Sequence, residues 1–323
     1  MKKLPIFFVI IIGLTMNIQS FSDVYSQDKE REKLNVVTSI SPITDIVKNI
    51  GGEKINLFPL VPEGVNSHTF ELVPSDAIKI SQANLVIING LNLEMSIEKI
   101  ADSLKAKNPQ IEILKLADNT ITEKDWIFDF SFPKERGDPN PHLWLNLEYT
   151  MNFVNLIRDK LIEMNPENSE YYLSNSKNYN NLLKNLDEGI KMSVNTIPLE
   201  NRKLFTYHDS WAYFAPRYGI NLIGSLQPSD FGEPSPKDVA RLIDQIRIEQ
   251  IPVIFASEVF PTNIIDQIAK ESNVTIVETL RDDDLPGEKG EPNHSYVGMM
   301  LENMKNMIIP LGGKIDQLTN IRP

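Results

Sequence analysis

The sequence predicts an α/β protein with two lobes, each a mainly parallel sheet with flanking helices, joined by one long linker helix. Short apolar segments alternate with helical patterns from Leu34 onward, which is typical of parallel strands with crossover helices. This alternation occurs once before and once after a long amphipathic stretch. A chain of 323 residues is also long enough for two domains of ordinary size.

The first series of elements is predicted over residues 34–166. After the opening strand, a helix starts at Ser41-Pro42 and ends at Gly51-Gly52, in keeping with the preference for proline at the start of helices and glycine after their end. Apolar runs predict strands over 34–40, 54–61, 84–90 and 110–116, with a second, short helix over 74–83.

Residues 167–197 are predicted to form a single linking helix. No proline interrupts them, and their apolar side chains recur mostly at intervals of three or four: Tyr172, Tyr179, Leu183, Leu186, Ile190, Val194 and Ile197. Such a helix extends about 45 Å, enough to run along both lobes. Gly189 lowers the helix propensity at one position, by about 1 kcal/mol relative to alanine.

The second series is predicted over residues 198–318. Its strands are expected at 203–208, 221–227, 252–258 and 274–280, and its helices at 210–219, 236–250, 262–272 and roughly 296–309. Two polar, irregular stretches remain, at 117–141 and 281–293, and each ends next to a histidine.

The first 22 residues are predicted to be a signal peptide or an uncleaved anchor. Lys2 and Lys3 precede an apolar run over 4–16, and Ser20 and Ser22 fit the small-residue positions before a cleavage site. The run is shorter than the about 20 residues that span a membrane. We therefore expect the protein to act outside the cytoplasm, in the periplasm or at the outer face of the cell membrane.

Composition excludes several kinds of site and partner. Cysteine is absent, which removes disulfides, thiolate metal ligands and cysteine nucleophiles. A net charge of −12 argues against nucleic acid and anionic membranes as partners, and it is compatible with attracting cations.

All four histidines follow predicted strands: His68, His142, His208 and His294. A single histidine in a loop is usually solvated or hydrogen-bonded. Ligands of open α/β sheets, however, bind beyond the carboxyl ends of the strands, and imidazole is the commonest metal ligand. The shared placement of all four therefore indicates a metal site.

The ligands of such a site must be nitrogen and oxygen, because no cysteine is present. Zinc takes four ligands in a tetrahedron, and three neutral imidazoles with one carboxylate would leave a net charge of +1. The acidic run Asp282–Asp284 is the natural source of the carboxylate. Because the three residues are adjacent, we expect one or two of them to point inward and the rest to be solvated.

Three histidine-bearing segments resemble the motifs of a known family: "VNSHTFELVPSD" (65–76), "NPHLWLN" (140–146) and "FTYHDSWAYFAPRYGI" (205–220). They look like those of the metal-ion substrate-binding proteins of ABC importers, the zinc and manganese receptors typified by the high-affinity zinc uptake receptor. "NGLNLE" (89–94) and the stretch 280–300 also resemble this family, and the similarity extends from Leu34 to Leu318.

The resemblance implies that a transported metal ion binds between two lobes linked by one helix. His68 and His142 would come from the first lobe, and His208 and Asp283 from the second. Asp282 is the alternative to Asp283. If neither carboxylate were the fourth ligand, His294 or water would be.

The resemblance also implies the cargo and the partner. Zn²⁺ is the expected ion and Mn²⁺ the alternative, because relatives that prefer manganese often have glutamate at the position of His208. The partner is expected to be an ABC importer membrane permease, and the protein a monomer that binds no nucleic acid.

The sequence departs from the family at three points. Asn140 stands where the family usually has an aspartate, residues 117–138 lack the histidine-rich loop of many zinc receptors, and the lipid-anchoring cysteine is missing. The first departure places in question a carboxylate that would orient His142.

Two other functions stay open: a metal-dependent hydrolase and a surface adhesion protein with a structural metal. A hydrolase would leave one metal position to water beside a general base, for which Glu71 or Glu258 could serve. The sequence has no HExxH motif, and four protein ligands leave no open position, so we expect no enzyme. Metal binding should weaken below about pH 6, because imidazole must be neutral to ligate.

Overall fold

The computed structural model describes residues 33–257 and 263–323, and within them the chain forms two four-stranded parallel sheets. The first contains β1 (Leu34–Thr38), β2 (Ile55–Pro59), β3 (Leu85–Ile88) and β4 (Glu112–Lys115), in the order β2-β1-β3-β4. The second contains β5 (Lys203–Thr206), β6 (Asn221–Ser225), β7 (Val253–Ser257) and β8 (Thr275–Leu280), in the order β6-β5-β7-β8. The predicted fold class is therefore confirmed.

Nine α-helices lie among the described residues. They are α1 (Ser41–Gly51), α2 (Pro74–Ser81), α3 (Met95–Lys107), α4 (Leu147–Met164), α5 (Ser169–Val194), α6 (Phe214–Tyr218), α7 (Pro236–Ile248), α8 (Asn263–Ser272) and α9 (Tyr296–Ile308). Helices α3 and α4 were not predicted, and α6 is shorter than the predicted 210–219. Residues 210–213 precede α6 instead of joining it, and the carboxylate of Asp209, just before them, accepts from Ser131 N–H of the first lobe. The proposed signal segment and Glu258 lie outside the described residues.

The central strands of both sheets are buried on both faces, as apolar runs without alternation predict for parallel sheets covered by helices. Every residue of β3 and of β7 is buried. The main apolar core extends from the first sheet through α5 to α9, and a smaller one lies between the second sheet and α7 and α8. None of the described helices is both long enough and apolar enough to cross a membrane.

The linking helix α5 spans 26 residues and packs against α1 and α4 on one side and α6 and α9 on the other. Its apolar stripe is buried where the three-and-four spacing predicted. Gly189 is explained by packing: a Cβ there would lie 2.8 Å from Leu318 Cδ2 and 3.2 Å from Gln317 O. The lobe boundaries at 34–166, 167–197 and 198–318 stay predictions.

Candidate metal centre

Three of the four histidines lie where strands or their following loops end at the cleft. His68 is in a short 3₁₀ turn after β2, where the side chain of Asn66 accepts a 2.9 Å hydrogen bond from His68 N–H. His142 directly precedes the 3₁₀ turn Leu143–Leu145. His208 follows the end of β5 by two residues.

The Nε2 atoms of these three imidazoles converge. His142 Nε2 lies 3.2 Å from His68 Nε2 and 2.9 Å from His208 Nε2. All three ligand atoms lie within 4.8 Å of one another, and this is the only such group of metal-ligating side chains among the described residues. Zn–N bonds of about 2.0–2.1 Å in a tetrahedron place ligand nitrogens roughly 3.3 Å apart, so the two contacts are close to those of a bound ion.

Asn140 orients the ring of His142. Its Oδ1 accepts from His142 Nδ1 at 2.8 Å and from His142 N–H at 3.1 Å, while its Nδ2 donates to Asp209 O at 2.7 Å. These bonds fix the direction of the amide, so the proton of the neutral imidazole lies on Nδ1 and the Nε2 lone pair faces the cleft. An amide thus does the orienting for which the family usually supplies a carboxylate.

The imidazole of His208 is held in the same way by a second amide. His208 Nδ1 forms a hydrogen bond with Gln227 Oε1, and both side chains are buried. Gln227 was not among the residues predicted to form the site. Its position at the end of the predicted strand 221–227 was the only available signal.

The three imidazoles are held neutral. Burial lowers the pKa of His68 and of His142 well below 6.5, and the charge of His208 lowers both further. Burial also lowers the pKa of His208, against the raising effect of the charge of Asp283. The neutral rings of His142 and His208, with Nδ1 protonated, point their Nε2 lone pairs at each other, an arrangement that a cation between them makes favourable.

Two carboxylates of the loop after β8 lie beside the cluster, although neither belongs to the group of ligand atoms that lie within 4.8 Å of one another. The side chain of Asp283 accepts from Ser67 N–H at 3.3 Å through Oδ2, and its buried Oδ1 has no partner among the described residues. Asp282 Oδ2 lies 3.4 Å from His208 Nε2. Burial raises the pKa of each to about 7, and the charge of His208 lowers that of Asp283.

The acidic run contradicts one expectation, because none of its three residues is solvated. Asp282, Asp283 and Asp284 are 2%, 5% and 6% exposed. The carboxylate of Asp284 accepts a 2.6 Å hydrogen bond from Gly64 N–H. The run is buried because it lies in the cleft, where Ser41 Oγ donates to Asp283 O at 2.9 Å.

His294 stands apart from the imidazole cluster. Its Nε2 lies 3.3 Å from Glu63 Oε1, and its Nδ1 lies 3.2 Å from Pro286 O. The structure therefore brings three of the four histidines together and leaves the fourth in a separate contact between loops.

Two aromatic side chains beside His68 were also missed by sequence reasoning. Phe231 stacks on the ring of His68 with centroids 4.4 Å apart and planes inclined by 15°, and Phe132 packs against His68 and His142 at 5.7 Å. Phe231 has a φ of +60°, a left-handed conformation rare for a bulky residue. Phe132 lies in the polar 117–141 loop, where its apolar side chain was a signal of burial.

The chain matches known proteins over nearly its full length. A family described as "Zinc-uptake complex component A periplasmic" (ZnuA) matches residues 36–308. The manganese ABC transporter substrate-binding lipoprotein PsaA of Streptococcus pneumoniae is 29% identical over 315 residues, which cover 95% of this chain and 98% of that protein. The manganese-binding lipoprotein MntA of Halalkalibacterium halodurans is 28% identical over 309 residues, with the same coverage.

Solved structures show the same fold. The periplasmic zinc-binding protein TroA from Treponema pallidum superposes with a TM-score of 0.79 at 26% identity, covering 87% of this chain and 99% of that one. A manganese-bound periplasmic metal-binding protein from Candidatus Liberibacter asiaticus gives a TM-score of 0.72 at 26% identity, covering 87% and 100%. Since the family match spans both lobes and the linking helix, the chain belongs to the zinc-uptake component A family and is an extracytoplasmic, metal-binding substrate-binding protein of an ABC importer, a receptor and not an enzyme.

Proposed function

We propose that the protein captures Zn²⁺, in preference to Mn²⁺, through His68, His142, His208 and Asp283, and delivers it to its ABC permease. The observation that carries the proposal is the convergence of three Nε2 atoms, two pairs of them 2.9 and 3.2 Å apart. Three neutral imidazoles and one carboxylate form a set of four ligands that suits zinc, whereas manganese favours oxygen-rich sites.

The relatives support a divalent metal and divide on which one. PsaA and MntA are named for manganese, and the family and TroA for zinc. The choice of Zn²⁺ for this chain rests on its donor set, with a nitrogen ligand in His208 rather than a carboxylate. We further propose that the protein works as a monomer.

The test is competition between Zn²⁺ and Mn²⁺ for the purified protein, measured by calorimetry against a chelator of known affinity. His142→Ala and His208→Ala should each weaken Zn²⁺ binding by more than about tenfold, roughly 1.4 kcal/mol. His294→Ala is the matched control, because this histidine lies outside the cluster. The Zn²⁺ affinity of this variant should stay within about twofold of the parent protein.

Two results would overturn the proposal. If neither His142→Ala nor His208→Ala reached a tenfold loss, the ion would bind elsewhere. If Mn²⁺ displaced Zn²⁺ at equal concentration, the metal preference would be reversed while the site itself stood.

A further inference from the structure

The second amide of the site, Gln227, is fixed from both sides through its main chain. Its N–H donates to Tyr207 O at 3.0 Å, and its carbonyl accepts from Ser131 Oγ at 2.7 Å. Tyr207 directly precedes His208, and Ser131 belongs to the long loop of the first lobe. The main-chain position of Gln227, and with it the placement of its side chain, therefore depends on a contact between the two lobes.

The direction of this amide decides whether His208 can bind a metal. With Oε1 facing Nδ1, the ring proton lies on Nδ1 and Nε2 offers a lone pair. With the amide reversed, Nε2 would carry the proton and point it at His142 Nε2, 2.9 Å away. A protonated nitrogen cannot ligate.

The orientation that permits binding leaves an amide group unsatisfied. Gln227 is 2% exposed, and its Nε2 has no hydrogen-bond partner among the described residues. Burying an unpaired donor costs about 1–3 kcal/mol. The hydrogen bond from His208 Nδ1 to Gln227 Oε1 accounts for this orientation, because it keeps the Nε2 of His208 free of a proton.

We propose that Gln227 is the positioning residue of His208: through its Oε1 it sets the tautomer and the ring orientation that make Nε2 a metal ligand. The inference rests on the proposed function, and it adds that Ser131 of the first lobe supports this second-lobe ligand through the Gln227 carbonyl. Groups that orient a ligating imidazole typically change metal affinity by 10- to 100-fold when they are removed.

The test compares Gln227→Leu, which removes the acceptor and keeps most of the volume, with Gln227→Glu, which keeps an acceptor oxygen. Zn²⁺ affinity should fall by 10- to 100-fold in Gln227→Leu and stay within about threefold of the parent, or rise, in Gln227→Glu. Mn²⁺ affinity should fall less in Gln227→Leu, because manganese depends less on imidazole. Ser131→Ala should shift Zn²⁺ affinity in the same direction by a smaller factor.

A spectroscopic measurement separates positioning from general loss of structure. The visible absorption of the Co²⁺-loaded protein reports the coordination geometry, and it should change in Gln227→Leu and not in Gln227→Glu. The matched control is Gln245→Leu, which removes a 3.0 Å hydrogen bond to Ile223 O in the same lobe. It should leave both the Zn²⁺ affinity and the Co²⁺ spectrum unchanged.

The outcomes distinguish this inference from the function on which it rests. If His208→Ala weakens binding but Gln227→Leu stays within twofold of the parent, the positioning role is wrong and the metal site stands. Equal losses in Gln227→Leu and Gln227→Glu would also overturn it, because the acceptor would then not matter. If His208→Ala itself has no effect, the proposed metal site fails first.

Discussion

At the scale of single residues, the chemistry of the site depends on which nitrogen of each imidazole carries the proton. His142 and His208 each have an amide oxygen at Nδ1, so their Nε2 lone pairs face the cleft. Amides orient the rings without adding negative charge, which leaves the charge of the site to the carboxylates after β8. Those carboxylates are consequently the groups that balance the charge of a divalent ion.

We expect Asp283→Asn to weaken Zn²⁺ binding by at least about tenfold and Asp282→Asn by less than about threefold. Asp283 presents a buried oxygen beside Ser67, the neighbour of His68, whereas Asp282 Oδ1 accepts from Asp283 N–H at 3.1 Å and so helps to shape the loop. Calorimetric competition measures both, with Asp284→Asn as the control because its carboxylate bonds Gly64.

The opposite order of effects would identify Asp282, 3.4 Å from His208 Nε2, as the fourth ligand. Equal and small effects would leave the fourth position to water, because His294 lies in a separate contact with Glu63.

Residue types and spacing in the sequence were enough to predict the ligand candidates. They were not enough to predict the residues that orient and cover them. Gln227 and Phe231 both follow β6. Gln227 meets His208 because β6 pairs with β5 in the second sheet, and Phe231 meets His68 because the second lobe packs on the first. Contacts between residues 19 and 163 positions apart leave no periodic pattern from which they could be read.

At the scale of elements, α5 joins the lobes by a buried ion pair as well as by its apolar stripe. Arg217 of α6 donates to both carboxylate oxygens of Asp187 at 2.9 and 2.8 Å, and Tyr218 Oη donates to the same carboxylate at 2.7 Å. Arg217 also pairs with Glu148 of α4. One arginine therefore connects α4, α5 and α6 and holds the helix to both lobes.

Asp187→Ala should destabilise the protein by about 3 kcal/mol, because the partly buried Arg217 and the buried Tyr218 hydroxyl both lose the carboxylate that accepts from them. Thermal or urea unfolding measures the loss. Glu188→Ala, at the exposed next position of α5, is the matched control and should change stability by less than about 0.5 kcal/mol. A loss in Asp187→Ala no larger than in the control would show that the apolar stripe alone joins the lobes.

The α5 helix was predictable because its apolar stripe is continuous. The reason for a glycine at position 189 within it was not predictable. Helix propensity counts that glycine as a defect. The tertiary contact with the turn at Asp316–Leu318 makes it the residue that allows close approach.

At the scale of the whole molecule, the buried site couples metal binding to pH. Metal binding must displace a proton from Asp283, whose pKa burial raises to about 7. The imidazoles, with lowered pKa values, protonate only at lower pH. Zn²⁺ binding should therefore begin to weaken at about pH 7 as the pH falls, and not at about pH 6 as expected from imidazole alone.

Zn²⁺ affinity should fall by up to about tenfold per pH unit below pH 7, as expected for competition by one proton. Calorimetry in buffers of different ionisation enthalpy should show proton release at pH 6 that is smaller at pH 8. Asp283→Asn should flatten the dependence between pH 6 and 7. A flat affinity from pH 8 down to 6 in the parent protein would contradict the assignment.

The metal-free protein should respond to pH in the opposite sense near neutrality. Carboxylates with raised pKa, here Glu94, Asp282 and Asp283 at about 7 and Asp129 at about 9, bind more protons folded than unfolded. The stability that they contribute is present at low pH and is lost as pH rises toward those values. The buried imidazoles act the other way, losing stability only below their ordinary 6.5, so between pH 6.5 and 8 the carboxylates set the sign of the dependence.

The sequence by itself predicted the α/β class, one long amphipathic helix and four histidines at strand ends as candidate metal ligands, because apolar periodicity and the rule for strand ends are local. Only the tertiary structure decided that Asn140 and Gln227 orient two of those histidines and that His294 stands apart. It also showed that the whole acidic run is buried, because burial in a cleft arises when the second lobe meets the first. Gln227 is 19 positions from His208, and Asn140, although only two positions from His142, is held in direction by Asp209 of the second lobe, so neither role exists before the chain has folded.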